Sequence, residues 1–299
     1  MQSPFLLSEN VAYKGDSQSI AGDVAHFAAI ADAFAHTVAT LENRLDALRK
    51  APGGAGHHAM ERDMEIHRTH ARLATIRRYG LDLCLGRMVA GDGTVTYIGR
   101  LGVCGPTGEQ LLVDWRTPAA EPFFAATLAE PRGLTSRRRY RWSQGSIVDF
   151  WDESLTADTP PGLILDDDSA FLAGLSGSRG ERMRDVLGTI AADQDAIIRA
   201  GSSGTLVVDG GPGTGKTVVA LHRAAYLLYA DPRLSGHRGG VLVVGPHRPY
   251  LSYVADVLPG LGEQGVLTCT VADLVPETAG AIVESDPVVA QLTSSVEMV

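Results

Sequence analysis

The sequence predicts an α/β protein with a parallel-sheet core in its C-terminal half, preceded by an antiparallel helical hairpin and a small β-rich region. Three observations carry that reading. A glycine-rich octapeptide, Gly210-Gly211-Pro212-Gly213-Thr214-Gly215-Lys216-Thr217, lies between the apolar run at 205–208 and a helical run at 218–229. Near the N-terminus, Val24, Phe27, Ala31, Phe34, Val38, Leu41, Leu45 and Leu48 recur at alternating spacings of three and four, an a/d seam. Between the two, from 86 to 155, helical periodicity gives way to short β-type runs separated by turns.

Taken in order, residues 1–19 are polar and irregular. The seam predicts a helix that covers roughly 37 Å at about 1.5 Å per residue. Ala51-Pro52-Gly53-Gly54-Ala55-Gly56 ends it, since proline and glycine cannot extend a helix cheaply. A second helix follows over 59–85, with a weaker seam through Ile66, Thr69, Leu73, Ile76 and Leu83. Because both seams are narrow, the pair is expected to project as a two-helix arm and not to lie flat on a core. His57, His58, His67 and His70 lack carboxylate or thiol neighbours at ligand spacing and read as solvated.

Strands are expected at 94–101, 110–115, 123–127, 137–142 and 146–151. Turns fall at Ala90-Gly91-Asp92-Gly93, Gly105-Pro106-Thr107-Gly108 and Ser143-Gln144-Gly145. Arg137, Arg138, Arg139 and Arg141 lie in one strand, so alternation splits them between two faces and favours salt bridges over a nucleic-acid grip. The run Leu163-Ile164-Leu165-Asp166-Asp167-Asp168 reads as structural, capping a helix over 169–175. A helix at 182–199 leads to strand 205–208. After the 218–229 helix come strand 241–244, helix 251–258 and strand 266–270, the alternation of a parallel α/β core. The domains are therefore 1–85, 86–157 and 158–299.

The octapeptide has the chemistry of a phosphate-binding loop. Glycines at 210, 211, 213 and 215 remove the Cβ atoms that would block a compressed turn, so backbone N–H groups can face phosphate oxygens. The helix that follows adds its free N–H groups and positive dipole end. Lys216 is placed to reach the β- and γ-phosphates of ATP, and the Thr217 hydroxyl to ligate magnesium. A dinucleotide fingerprint fits less well, because Lys216 and Thr217 have no role in one.

Composition bounds the rest. The chain has 299 residues, 44% of them hydrophobic and 20% charged, ordinary for a globular protein with two or three domains. A net charge of −9 argues against a protein that coats nucleic acid. Only Lys14, Lys50 and Lys216 among 26 basic residues are lysine. The three cysteines form no C-x-x-C pair, which predicts neither a zinc site nor a disulfide framework. No uninterrupted apolar run approaches 18 residues, so no membrane association and a cytoplasmic location are expected.

Several stretches together resemble the UvrD-like superfamily 1 helicases, and within them the HelD/HelR branch of RNA-polymerase-associated ATPases. They are Ala192-Asp193-Gln194-Asp195-Ala196-Ile197-Ile198, the octapeptide with the helix after it, and Val243-Val244-Gly245-Pro246-His247. Tyr97-Ile98-Gly99-Arg100, Val113-Asp114-Trp115-Arg116 and the helical hairpin add to them. The resemblance implies a RecA-like core in which Gln194 reads adenine and the loop holds ATP and magnesium. It also implies that residues 24–85 enter the secondary channel of RNA polymerase, that the protein releases or recycles stalled polymerase, and a link to rifamycin tolerance. Two departures temper the expectation. Gly245-Pro246-His247-Arg248-Pro249 stands where DNA-unwinding relatives carry a DNA-contact motif, so unwinding is not expected. The sequence stops soon after the third core strand, without the acidic magnesium strand and second RecA-like domain that hydrolysis needs. The expectation is thus an amino-terminal portion that binds nucleotide and scarcely turns it over. The contrasting readings are a non-catalytic polymerase-binding module and part of a DNA translocase.

Overall fold

The computed structural model describes residues 3–15, 17–51, 57–157, 163, 187–234, 240–255, 257–261, 266–275 and 285–293. A long helix α1 (Ser17–Lys50) and α2 (His57–Tyr79) precede a six-stranded mixed sheet. The sheet holds β1 (Cys84–Ala90), β2 (Val95–Gly99), β3 (Val103–Cys104), β4 (Gln110–Asp114), β5 (Leu134–Ser143) and β6 (Ser146–Ser154), in the order β3-β4-β2-β1-β5-β6. All its pairings are antiparallel except β2 with β4. Helices α3 (Glu121–Ala125), α4 (Ala192–Arg199) and α5 (Lys216–Ala230) follow, then β7 (Val241–Gly245), α6 (Arg248–Val254), α7 (Val257–Gly260), β8 (Val266–Thr270) and α8 (Pro287–Thr293). β7 and β8 pair in parallel.

The sheet is covered on both faces. On one, Phe27, Ile30 and Phe34 of α1 and Ile76 of α2 pack with Tyr97, Leu112, Tyr140, Ile147 and Phe150. On the other, Met88, Ile98, Trp115, Phe123 and Phe124 join Ile198 of α4 and Val219, Leu221 and Ala225 of α5 in one continuous core. The chain is thus a mixed α/β protein with a long N-terminal helical arm.

The arm divides into a base and a tip. From Phe27 to Phe34, α1 belongs to the sheet's core. Beyond that, Leu45 and Leu73 are buried in the seam between the two helices, which is bridged by Arg44 to Glu65 at 2.7 Å and by Arg77 to Glu42. Within Ser19–Lys50 an 18-residue window has a mean hydropathy of 1.3, long and apolar enough to cross a membrane, yet Phe27, Ile30, Ala33 and Phe34 of this segment are buried against protein. The sequence hides this because polar residues interrupt the apolar run while the average stays high. His58, His67 and His70 are exposed, and His70 Nε2 lies 2.7 Å from Arg49.

Three expectations need correction. α2 ends at Tyr79, where Gly80 takes φ +53°, and the chain re-emerges as strand β1 at Cys84. β1 sits between β2 and β5 and carries apolar residues without clean alternation, the pattern of a strand buried on both faces. Gly86 is required there, since a Cβ would meet the Arg138 carbonyl at 2.2 Å and the Phe123 ring at 2.7 Å. Second, the strand expected at 123–127 is helix α3, opened by a proline in its first turn, which suits N1 and cannot donate to a ladder. Third, residues 205–208 form no strand: they have no ladder partner among the described residues, and Leu206 and Val207 are 48% and 83% exposed. The hairpin at Ser143-Gln144-Gly145 is as expected. Gln144 and Gly145 both adopt positive φ (49° and 79°), the two-residue geometry that matches strand twist. The acidic run at 164–168, the helix at 169–175 and residues 182–186 of the 182–199 helix lie outside the described residues, and in the described part that helix begins only at Ala192, after a 3-10 turn at Leu187–Thr189.

Candidate functional site

The charges of β5 are distributed as alternation requires. Arg138 faces α1 and is 1% exposed. Its guanidinium contacts Asp152 at 2.6 and 2.7 Å and Asp23 of α1 at 2.8 Å. Asp23 also accepts from the Tyr97 hydroxyl at 2.7 Å and pairs with Arg87 at 2.9 Å. Burial and the facing Asp23 carboxylate push the Tyr97 phenol well above its ordinary pKa. Arg137 points to the other face, donating to Glu153 (2.9 Å) and the Phe123 carbonyl (2.8 Å). Arg139 pairs with Glu153 at 3.3 Å, and desolvation lowers its pKa to about 10. These arginines are committed to buried pairs, in line with the salt-bridged reading.

On the sheet's other side sits the glycine loop. Gly213 and Gly215 adopt φ +79° and +87°, which only glycine takes without strain, and α5 starts directly at Lys216. No side chain caps that helix start, so its first N–H groups face the concave side of the loop with their dipole. The Lys216 amine folds back on the loop, donating to the Gly211 carbonyl at 2.7 Å and to that of Gly210. Thr214 Oγ1 donates to the Gly211 carbonyl at 2.9 Å, and Asp209 accepts from Gly210 N at 2.8 Å. Close packing demands two of the glycines: a Cβ on Gly210 would stand 2.7 Å from Thr214 Oγ1, and one on Gly215 would stand 2.8 Å from Gln194 Nε2.

Gln194 braces the loop from α4. Its Nε2 donates to the Thr214 carbonyl at 3.1 Å and its Oε1 accepts from Ala191 N at 3.2 Å. Thr217, half-buried on the first turn of α5, receives the Tyr250 hydroxyl at 3.4 Å. The structure thus brings Gln194 and residues 210–217 together in one exposed loop. The residues fit a triphosphate with magnesium: an amine without a carboxylate partner among the described residues, uncapped helix N–H groups, and a hydroxyl beside them.

Residues that sequence reading passed over tie this loop to the sheet. Arg199 pairs with Asp195 at 2.9 Å and donates to the Trp115 carbonyl at 2.6 Å. Arg223 of α5 donates to carbonyls at the end of α4, including Ile197 at 2.9 Å and Gly201 at 2.6 Å. His222, also on α5, is fully buried 5.9 Å edge-on from the Trp115 ring, with Nδ1 bonded to the Val218 carbonyl at 2.7 Å. Desolvation lowers its pKa to about 4. Only the i,i+4 spacing of Asp195 and Arg199 was a readable signal. His222 looks like any polar helix residue until its neighbours are known. Among the described residues, no group of three His, Cys, Asp or Glu side chains could hold a metal ion.

A mixed sheet bearing a helical arm on one face and a glycine-loop helix on the other defines a mixed α/β protein. Residues 20–168 match the family model described as DNA helicase IV HelD, N-terminal domain, so this stretch is a HelD-type N-terminal portion and points to a helicase-like, UvrD-related protein. The match takes in most of α1 and continues through β6, so it covers the arm and the sheet and stops short of Gly210. No curated protein matches the chain.

Proposed function

We propose that the chain is the ATP-binding, arm-bearing part of a helicase-like motor that grips RNA polymerase through residues 24–85 and helps release or recycle it from nucleic acid. Location in the cytoplasm and a contribution to rifamycin tolerance accompany that reading. The single observation that carries it is Lys216 at the start of α5 in a glycine loop with positive φ at Gly213 and Gly215. Gly210, Gly211, Pro212, Gly213, Thr214 and Gly215 form the anion cradle, Lys216 supplies the cation for the β- and γ-phosphates, and the Thr217 hydroxyl is the ligand for magnesium. Bound magnesium would neutralise charge on the terminal phosphates. On nucleotide entry, Lys216 exchanges its carbonyl partners for phosphate oxygens, and Gln194, already against Thr214, lies beside the base-binding side of the loop.

Calorimetry with ATP and magnesium tests the nucleotide half. Wild type is expected to bind and Lys216→Ala not to, because the loop's fixed cation is gone. Equal affinities would refute a functional loop. The arm half is tested by Leu45→Asp with Leu73→Asp, which puts charge into the seam beyond the sheet and spares Phe34, a member of the sheet's core. Capture of polymerase is expected to fail in that variant and to survive in Lys216→Ala.

A further inference from the structure

The stretch Gly245-Pro246-His247-Arg248-Pro249 departs from the DNA-contact motif of unwinding helicases, and the structure gives it a different use. His247 is the N-cap of α6, and its Nδ1 accepts the Tyr250 backbone N–H at 3.1 Å. That cap sets the first turn of α6 so that the Tyr250 ring lies over the end of β7. Gly245 makes room for it: a Cβ there would stand 2.9 Å from Tyr250 Cδ1 and 2.6 Å from Leu251 Cδ2. The half-buried phenol then reaches Thr217 Oγ1, 3.4 Å away on the first turn of α5. A residue 33 positions downstream thereby touches the one hydroxyl in the loop suited to a metal.

We infer that Tyr250 is a positioning residue for metal–nucleotide binding, holding the Thr217 hydroxyl so that an oxygen lone pair is free for the cation. A threonine hydroxyl has one proton and two lone pairs. When a divalent cation takes one lone pair, the proton needs an acceptor pointing away from the metal, and the Tyr250 oxygen is placed to be it. With no metal bound the same phenol donates to Thr217, so the pair exchanges donor and acceptor roles as the site fills, and the phenol proton turns to solvent. At 3.4 Å the contact is at the long end for a hydrogen bond. A small shift of α6 toward α5 shortens it. Partners behind a ligand orient it in this way, and their removal typically lowers metal affinity about 10- to 100-fold.

The proposal rests on the reading of residues 210–217 as a nucleotide loop, and the test separates the two. ATP affinity is measured by calorimetry with magnesium and again in EDTA, for wild type, Tyr250→Phe, Thr217→Val and the double variant. Tyr250→Phe keeps the ring that packs on Gly245 and removes only the oxygen, so its melting temperature should equal that of wild type. Affinity with magnesium should fall about tenfold, affinity in EDTA should not change, and the phenylalanine should have no further effect in the Thr217→Val background. His247→Ala, which loosens the cap but leaves the phenol in place, should show the same magnesium-specific loss in smaller degree. If wild type gains affinity from magnesium and Tyr250→Phe gains as much, or if the two losses add in the double variant, the role of Tyr250 is overturned and the loop reading stands. If wild type binds no ATP in either condition, both fall.

Discussion

Lys14 and Lys216, two of only three lysines in the chain, make opposite uses of the same side chain. Lys14 is 0% exposed, with its amine 2.8 Å from Asp149 and 2.7 Å from the Phe150 carbonyl, so its charge is neutralised within the fold. Lys216 is half-buried at the lip of a glycine loop and rests on two carbonyls. Carbonyl dipoles do not neutralise a charge as a carboxylate does, so Lys216 keeps its attraction for an anion. The regions around them repeat the contrast. Beneath the arm, Asp23, Arg87, Arg138 and Asp152 form a closed buried network. Around the loop, polar side chains meet mainly backbone carbonyls. A buried charge with its partner resists change, because removing either partner strands the other; an exposed charge is available to a ligand.

Breaking the buried side should cost most. Arg138→Met removes the guanidinium shared by Asp152 and Asp23, of which Asp23 keeps Arg87 and the Tyr97 hydroxyl, and a loss of about 3 to 5 kcal/mol is expected, read from urea unfolding. Lys14→Met takes one partner from Asp149, which still pairs with Arg141 at 3.3 Å and accepts from the Phe150 N–H at 2.8 Å, so a smaller loss of about 2 to 3 kcal/mol is expected. If either variant were as stable as wild type, the network would be no more than decoration.

A pH experiment sharpens the comparison at the junction of the two regions. His222 has its pKa lowered from 6.5 to about 4 by desolvation, so the unfolded chain takes up the proton first as pH falls. The stability is therefore complete above about pH 6.5 and is lost as the pH drops through 4. From pH 7.5 to 4.5 this group alone should remove roughly 2.5 kcal/mol. Subtracting the pH profile of His222→Gln from that of wild type isolates it, and parallel profiles would contradict a buried neutral imidazole. The smallest effect is expected at Lys216: Lys216→Met should change unfolding stability by less than about 0.5 kcal/mol while removing ATP binding. A large loss of stability there would place Lys216 in the same structural class as Lys14.

The residues themselves announced much of this molecule. A 3,4 repeat of apolar positions can only be a helix seam, and the observed antiparallel pair follows from it. Glycines at 213 and 215 next to Lys216 and Thr217 announce a compressed turn on a helix start, and the turn has that geometry. Alternation along β5 split the arginines between two faces before any neighbour was known. Each of these is a local property, set by the period or conformational freedom of adjacent residues.

What tertiary structure alone decided lies where distant segments meet. β1 carries no alternation because both its faces are covered, and that pattern shows only once α1 and α3 are in place. Residues 205–208 have strand chemistry, yet a strand exists only with a ladder partner. Phe34 looks like one more seam residue but belongs to the sheet's core, so the boundary between the base and the tip of the arm was invisible in the repeat. The hydroxyl of Tyr250 reaches Thr217 only because His247 caps α6 and Gly245 lacks a Cβ. Proximity across 33 residues is a product of packing, and periodicity carries no record of it.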